Sequence, residues 1–304
     1  MTYKTGDKLC NCTLLAQCGS GAYGEVWLAE DSIGSRVALK IIRVGGRYND
    51  RELAGVKYFS QCNHPNLLKI RYVETVGDEL CYIMDAADDL HDGKGGYLPD
   101  TLGNRLRKNG RLEAGEIIDM LNGLLDGLSE LHKHNLLHRD IKPDNILWVN
   151  GRAVLADAGT AAPDGAASLV GSPGFLSEKL LRKIAPADAS DDLYALGKVA
   201  YCALTGLPVG EYPDIPENVP LETDSGLNRL IRACGTETIN SVAEFREIIG
   251  SYSGKSEKKP GVRRLRITCF IATVFVLFLV AAWYWWGSRQ IADDFSENVA
   301  LPVY

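Results

Sequence analysis

No two of the eight cysteines stand in a C-x-x-C spacing. The nearest pair, Cys10 and Cys12, is one residue apart, and the five histidines form no metal-ligand pattern. A zinc knuckle or ribbon is therefore excluded, and the cysteines read as reduced, mostly buried thiols of a cytosolic chain. His132, after Leu131, reads as a satisfied helix histidine rather than a ligand. Basic excess is missing too: 33 Lys and Arg stand against 39 Asp and Glu, a net charge of −6. Without a basic face no nucleic-acid partner is expected. An apolar leader is absent, since Met1-Thr2-Tyr3-Lys4-Thr5 runs straight into polar residues, and no signal peptide is expected. There is no internal repeat. What the chain does have is bulk, 304 residues at 46% hydrophobic, enough for a large core within one unit of about 250 residues.

Four strings carry chemistry. His138-Arg139-Asp140-Ile141-Lys142-Pro143-Asp144-Asn145 holds an acid, a lysine and an asparagine at offsets 0, +2 and +5. That set suits phosphoryl transfer, which needs little covalent help but requires hydroxyl, γ-phosphate and metal to be held in line. A polar turn after an amphipathic helix would explain a stray His-Arg-Asp but not the whole octet. Upstream lies Gly19-Ser20-Gly21-Ala22-Tyr23-Gly24-Glu25-Val26. Its flanks, Thr13 to Ala16 and Val26 to Ala29, are β-like, which predicts a hairpin over phosphates rather than a strand-to-helix dinucleotide loop. Tyr23 at its tip would cap the site against water. Next, Arg36 to Ile42 is a β-branched run with Lys40 inside it, 16 residues after Gly24. A lysine in an apolar strand is costly to bury unpaired, so it is expected to face an anion. Finally, Ile146 to Val149, Asn150-Gly151 and Arg152 to Ala156 read as a hairpin with a two-residue turn. Its outer ends would bring Asn145 and Asp157 together as oxygen ligands for a phosphate-bound Mg²⁺.

Taken together, these strings resemble the protein kinase family, in the form that serine/threonine kinases use, over about residues 9–250. The resemblance implies an α+β, bilobal fold with a β-rich N-lobe at about 9–87 and a helical C-lobe at about 88–250. It implies ATP and Mg²⁺ as the cofactors. Asp140 would accept the hydrogen bond of the attacking hydroxyl, Lys142 would neutralise γ-phosphate charge, and Asn145 and Asp157 would ligate the metal. Lys40 would grip the α- and β-phosphates beneath Gly19, Gly21 and Gly24. Cys18, Val26 and Ala38 would roof the adenine, with Leu147 as its floor and Met84 beside it. Lys142-Pro143 and the Gly171-to-Phe175 loop favour a protein Ser or Thr as acceptor over a small alcohol. The resemblance leaves room for a homodimer that phosphorylates in trans. A pseudokinase scaffold and a small-molecule kinase of the aminoglycoside type are the rival readings.

The chain also departs from the family. Asp157-Ala158-Gly159 stands where the family has Asp-Phe-Gly, so the packing under the helix that carries the lysine's glutamate partner would be thinner. That glutamate is expected in a helix at about Asp50 to Gln61, where Glu52 is the sole glutamate. His64-Pro65-Asn66 begins twelve residues after it, further than the usual spacing, so a solvated helix-face Glu52 is the alternative. Ala-Pro-Glu becomes Leu176-Ser177-Glu178, which aligns Glu178 only after one deletion. The arginine that normally pairs with it is missing from Cys234 to Asn240; losing both members together avoids a buried lone charge. Ser190 to Leu207 resembles the family's central helix, with Asp192 bracing the catalytic loop; Ser190 to Asp192 also reads as an N-cap with acids in the first turn. Thr160, Ser168 and Ser172 are hydroxyls open to phosphorylation, Ser168 foremost. Arg139 would pair either with such a phosphate or with a nearby carboxylate.

Near the end the composition changes. Ile267 to Trp286 is twenty residues without a charge, roughly 30 Å as a helix, closing on Trp283-Tyr284-Trp285-Trp286. Before it, Lys255, Lys258, Lys259, Arg263, Arg264 and Arg266 against Glu257 give +5; after it, Arg289 against Asp293, Asp294 and Glu297 gives −2. The expected arrangement is a single-pass membrane protein: kinase domain in the cytoplasm, basic linker 251–266 near anionic lipid, span 267–286, and tail 287–304 outside. A kinase unit followed by one span looks most like bacterial members of the family.

Overall fold

The computed structural model describes residues 3–21, 24–43, 47–165, 170–217, 219, 226–235 and 237–250. The chain divides into two units, Met1–Ser253 and Gly254–Tyr304, and every described residue lies in the first.

The N-terminal part is an antiparallel six-stranded sheet. In chain order its strands are β1 (Lys8–Leu9), β2 (Cys12–Gly21), β3 (Gly24–Glu30), β4 (Arg36–Arg43), β5 (Ile70–Val76) and β6 (Glu79–Asp85), and in space they run β1-β2-β3-β4-β6-β5. The reason β4 lacks an alternating pattern is that it is central: Val37 to Ile42 are all buried, on both faces. One face packs Leu14, Trp27, Val37, Leu39, Ile41 and Cys81 beneath Leu9 of β1. The other carries Ala38, Lys40, Tyr82 and Met84 toward helix α1 (Arg47–Phe59) and the C-terminal part. Helix α1 starts a turn earlier than expected and has Asp50 in its first turn and Lys57 in its last, complementing the helix dipole.

The C-terminal part is helical: α2 (Leu102–Asn109), α3 (Ala114–Lys133), α4 (Glu178–Leu181), α5 (Ala189–Thr205), α6 (Gly226–Gly235) and α7 (Val242–Gly250). Short strands lie among them, β7 (Leu136–Leu137), β8 (Ile146–Val149), β9 (Arg152–Leu155) and β10 (Ala162–Pro163). Helix α5 is apolar nearly all round because it is buried from Asp191 to Thr205 at every position but Tyr194. Asp188 caps its N-terminus, accepting from the Ser190 amide at 2.8 Å, and Gly206 ends it at φ 74°. That glycine cannot be replaced cheaply, since a Cβ would stand 2.3 Å from the Gly110 carbonyl oxygen. The end two residues short of Leu207 follows from this cap.

His64 to Leu68 joins the two parts. The Asn66 carbonyl accepts the Leu155 amide at 2.8 Å, its side-chain amide donates to the Ala153 carbonyl at 2.7 Å, and the Leu68 amide donates to the Leu155 carbonyl at 2.8 Å. Gly127 of α3 permits this approach; a Cβ there would meet the Asn66 carbonyl oxygen at 3.0 Å. No helix among the described residues is long and apolar enough to cross a membrane. The expected linker 251–266, span 267–286 and tail 287–304 lie outside the described residues, as do Tyr23 and Ser168.

Candidate active site

The site begins where β4 turns Lys40 out of the sheet. Its ammonium lies 2.8 Å from Glu52 Oε1 and 2.8 Å from Asp157 Oδ1. Glu52 is thus a buried partner of Lys40 and not a solvated helix-face acid, and the Tyr82 hydroxyl also donates to its Oε1 at 2.9 Å. Burial opposes the Lys40 charge, yet Tyr82, Asp157 and Glu52 around it carry its pKa well above the usual lysine range. For Asp157, burial pushes the carboxyl up, but the Lys40 ammonium outweighs it and holds the acid below the usual carboxylate range. Both groups are therefore charged at neutral pH.

What lets Glu52 come so close is Gly159. A Cβ on it would sit 1.9 Å from Glu52 Oε2, so the turn at Ala158–Thr160 packs bare backbone against the carboxylate. Gly159→Ala is expected to push the carboxylate off Lys40 and cost about 1–3 kcal/mol, read as a lowered Tm. An unchanged Tm would contradict this packing.

The octet lies below. Asp140 Oδ1 accepts the Ser172 hydroxyl at 2.7 Å; Oδ2 accepts Lys142 Nζ at 2.8 Å and the Asn145 amide at 3.0 Å. Asn145 also donates to the Asp140 carbonyl at 2.8 Å, so its amide nitrogen is held and its Oδ1 is the atom left for a cation. Lys142 reaches Ser172 Oγ at 2.8 Å as well. Ser172 is thus a structural hydroxyl on the acid. Thr160 is similarly engaged, donating to the His138 carbonyl at 2.9 Å.

Asp192 fixes the backbone of the octet from inside α5. Its Oδ2 accepts the His138 amide and His132 Nε2, each at 2.9 Å, and its Oδ1 accepts the Arg139 amide at 2.9 Å. Arg139 sits at φ 71°, a left-handed conformation that a non-glycine residue holds only when its surroundings impose it. The His138 ring donates from Nε2 to the Ala156 carbonyl at 2.9 Å, which ties the octet to the strand leading to Asp157. Both expectations for Ser190 to Asp192 hold in part: Asp192 braces the loop, while the N-cap itself is Asp188.

The hairpin forms with the register Ile146↔Leu155 and Val149↔Arg152, turning at Asn150 (φ 52°) and Gly151 (φ 73°). At its open end the Ala156 amide donates to the Asn145 carbonyl at 2.9 Å, bringing Asn145 and Asp157 to the same cleft. The cleft has a volume of about 590 Å³. Gly19, Gly24, Cys18, Val26 and Ala38 line it from above, with Met84 at one end. Lys40, Lys142, Asn145 and Asp157 line it at the polar end, and Leu147 lies below. Gly21 pairs with Gly24 at the end of the hairpin, and Gly24 is at φ 117° with no room for a Cβ against Ile41. Among the described residues no cluster of three or more His, Cys, Asp or Glu could hold a metal. The donor set on offer, one carboxylate and one amide oxygen, suits a hard cation that takes its other ligands from phosphate and water, which is how Mg²⁺ is usually bound.

Glu178 does not take the place of the family's buried glutamate, in keeping with the expected loss of both members of that pair. It is exposed and pairs with Arg182 one turn on, while Ser177 takes the buried position and donates to Asp191 Oδ1 at 2.5 Å. Lys179 supplies the cation, 2.7 Å from Asp188 and 3.3 Å from Asp191. A Ser–Asp–Lys cluster at the start of α5 thus stands where a glutamate–arginine pair was sought. Sequence reasoning missed it because partners were sought near residue 240. It also missed Tyr97, Thr101, Asn104 and Arg107 at the cleft mouth, which no local pattern marks.

A family model described as the protein kinase domain matches residues 12–256. The serine/threonine-protein kinase pkn2 of Myxococcus xanthus is 29% identical over 211 residues, covering 64% of this chain and 24% of pkn2. The serine/threonine-protein kinase sid1 of Schizosaccharomyces pombe is 31% identical over 237 residues, covering 72% of this chain and 48% of sid1. The chain therefore spans less than half the length of these relatives. Among solved structures, the PknI kinase domain of Mycobacterium tuberculosis matches with a TM-score of 0.61 at 21% identity, over 82% of this chain and 98% of that one. Together with the paired Lys40 and Glu52 and the braced octet, these matches identify the chain as a member of the protein kinase family, in its Hanks-type serine/threonine branch.

Proposed function

We propose that this chain is a protein-serine/threonine kinase that moves the γ-phosphate of Mg-ATP to a protein hydroxyl. The observation that carries the reading is convergence: Lys40, Lys142, Asn145 and Asp157 line one cleft, and Asp140, just behind that lining, is bonded to Lys142 and Asn145. Held by Glu52 and Asp157, Lys40 presents a fixed charge to the inner phosphates. Asp140 accepts the proton-bearing hydroxyl of the acceptor and orients it, and Lys142, already 2.8 Å from Asp140, offsets charge on the phosphoryl group in flight. Mg²⁺ held by Asp157 and Asn145 would neutralise phosphate oxygens. The intact Lys40–Glu52 pair favours an enzyme over a pseudokinase scaffold despite Ala158.

The full chain incubated with γ-labelled ATP, Mg²⁺ and a generic unfolded protein is expected to label Ser or Thr. Turnover confined to small alcohols or aminoglycosides would reverse the substrate class. The same reading tethers the kinase to the cytoplasmic face of a membrane through residues 267–286, supported by twenty uncharged residues between a +5 linker and a −2 tail. Alkaline carbonate washing of membranes should leave the chain in the pellet, and release into the wash would contradict the tether.

A further inference from the structure

The mouth of the cleft is built by a segment that neither the octet nor the glycine hairpin accounts for. Between the end of β6 at Asp85 and the start of α2 at Leu102, residues 88–98 form a compact loop. Asp89 staples it, accepting the amides of His91 and Gly93 at 3.0 Å and of Leu98 at 3.2 Å, and the Leu90 amide donates to the Leu98 carbonyl at 2.9 Å. Asp88 anchors its root to the turn of the β8–β9 hairpin, accepting the Asn150 amide at 2.9 Å and the Gly151 amide at 2.7 Å. A loop held at both root and neck is a wall rather than a flap.

This wall presents Tyr97. Its hydroxyl donates to the Ala87 carbonyl at 2.9 Å, and its side chain lines the cleft with Leu98 and Pro99, beneath Cys18 on the opposite lip. Burial first, and then the neighbouring Cys18, pushes its phenol above the usual tyrosine range, so it remains a neutral donor. Strand register fixes which end of the cleft this is. Ala38 pairs with Met84 and Lys40 with Tyr82, so the apolar row lies two residues, about 7 Å, from the charged one. The chain leaves the sheet just beyond Met84, and Ala87 and Tyr97 follow there. The phosphate-binding charges are at the other row.

We infer that Tyr97 is a nucleotide-positioning residue that closes the base end of the cleft, its ring packing against the bound nucleoside and its hydroxyl locking the Ala87 carbonyl. The inference rests on the reading that ATP is the bound nucleotide. With the aromatic wall gone the nucleoside loses a packing surface, while Asp140, Lys142 and the metal ligands are untouched. Calorimetry of the full chain with Mg²⁺ and AMP-PNP, paired with steady-state transfer, tests it. Tyr97→Ala is expected to weaken AMP-PNP binding and raise KM for ATP about tenfold, with kcat, KM for the protein acceptor and Tm of the free protein little changed. Tyr97→Phe, which keeps the ring, should lose no more than about threefold. If the wild type binds AMP-PNP and Tyr97→Ala binds it equally, the positioning role is wrong. A parallel fall in kcat and Tm would also overturn it, as a merely structural effect. Failure of the wild type to bind AMP-PNP would instead remove the ATP reading, and this inference with it.

Discussion

Lys40→Met is expected to reduce kcat about 10²–10³-fold and to destabilise the fold at the same time. The double effect follows from the two carboxylates on one ammonium. Glu52 and Asp157 each lie 2.8 Å from Lys40 Nζ, and Glu52 is buried. Removing the cation leaves both without their counter-charge, and breaking a buried pair from one side costs about 3–5 kcal/mol. Part of that cost returns if a carboxyl takes up a proton. A pH signature follows. In the wild type the Asp157 pKa is depressed below its usual 3.8, so its contribution to stability is complete above 3.8 and is lost as pH falls through the lower folded value. In Lys40→Met the largest influence opposing burial is gone, leaving only the weaker fields of His138 and Lys142, so that pKa rises and the acid limb of stability should move to higher pH. Chemical denaturation across pH, with kcat measured alongside, checks both halves. Normal stability with an unmoved acid limb would show that the ion pair is not formed.

The second large effect is expected at Asp192, which touches no substrate. Asp192→Ala removes the acceptor of three donors: the His138 and Arg139 amides and the His132 ring. A buried network broken from one side costs about 3–5 kcal/mol, and here it also releases Arg139 from φ 71°. Burial alone would raise the Asp192 pKa, but the hydrogen bond from His132, the neighbouring His132 and His138 rings and the Arg139 amide bring it below 3.8. Its stabilisation is therefore present above 3.8 and fades as pH drops toward the folded value. Loss of Tm together with faster exchange of the His138 and Arg139 amides is the expected result. A variant with native Tm would mean that the octet holds its shape without the brace.

Much of this arrangement was legible as short strings. The octet, the glycine hairpin, the lysine-bearing strand and the Asn150-Gly151 turn each combine residue types that only one local geometry suits, so position along the chain was enough. Glu52 was not secured this way, because its distance to His64-Pro65-Asn66 is unusual and its burial depends on Gly159, over 100 residues away. The Ser177–Asp191–Lys179 cluster was hidden for a related reason. A cation can reach one site from different elements, and only packing says which one does. The loop carrying Tyr97 gave no signal at all: its order comes from Asp88 and Asp89 accepting backbone amides, which composition cannot distinguish from a solvated acidic turn.

Asp140→Asn tests the central claim most directly. The full chain and this variant would be incubated with γ-labelled ATP, Mg²⁺ and protein acceptor, followed by phosphoamino-acid analysis and by calorimetry with AMP-PNP. The wild type should label phosphoserine and phosphothreonine, and the variant should fall about 10²–10⁴-fold in rate while still binding AMP-PNP. Equal labelling by both proteins, or nucleotide binding without any transfer by the wild type, would contradict the assignment of Asp140 and leave a nucleotide-binding scaffold in its place.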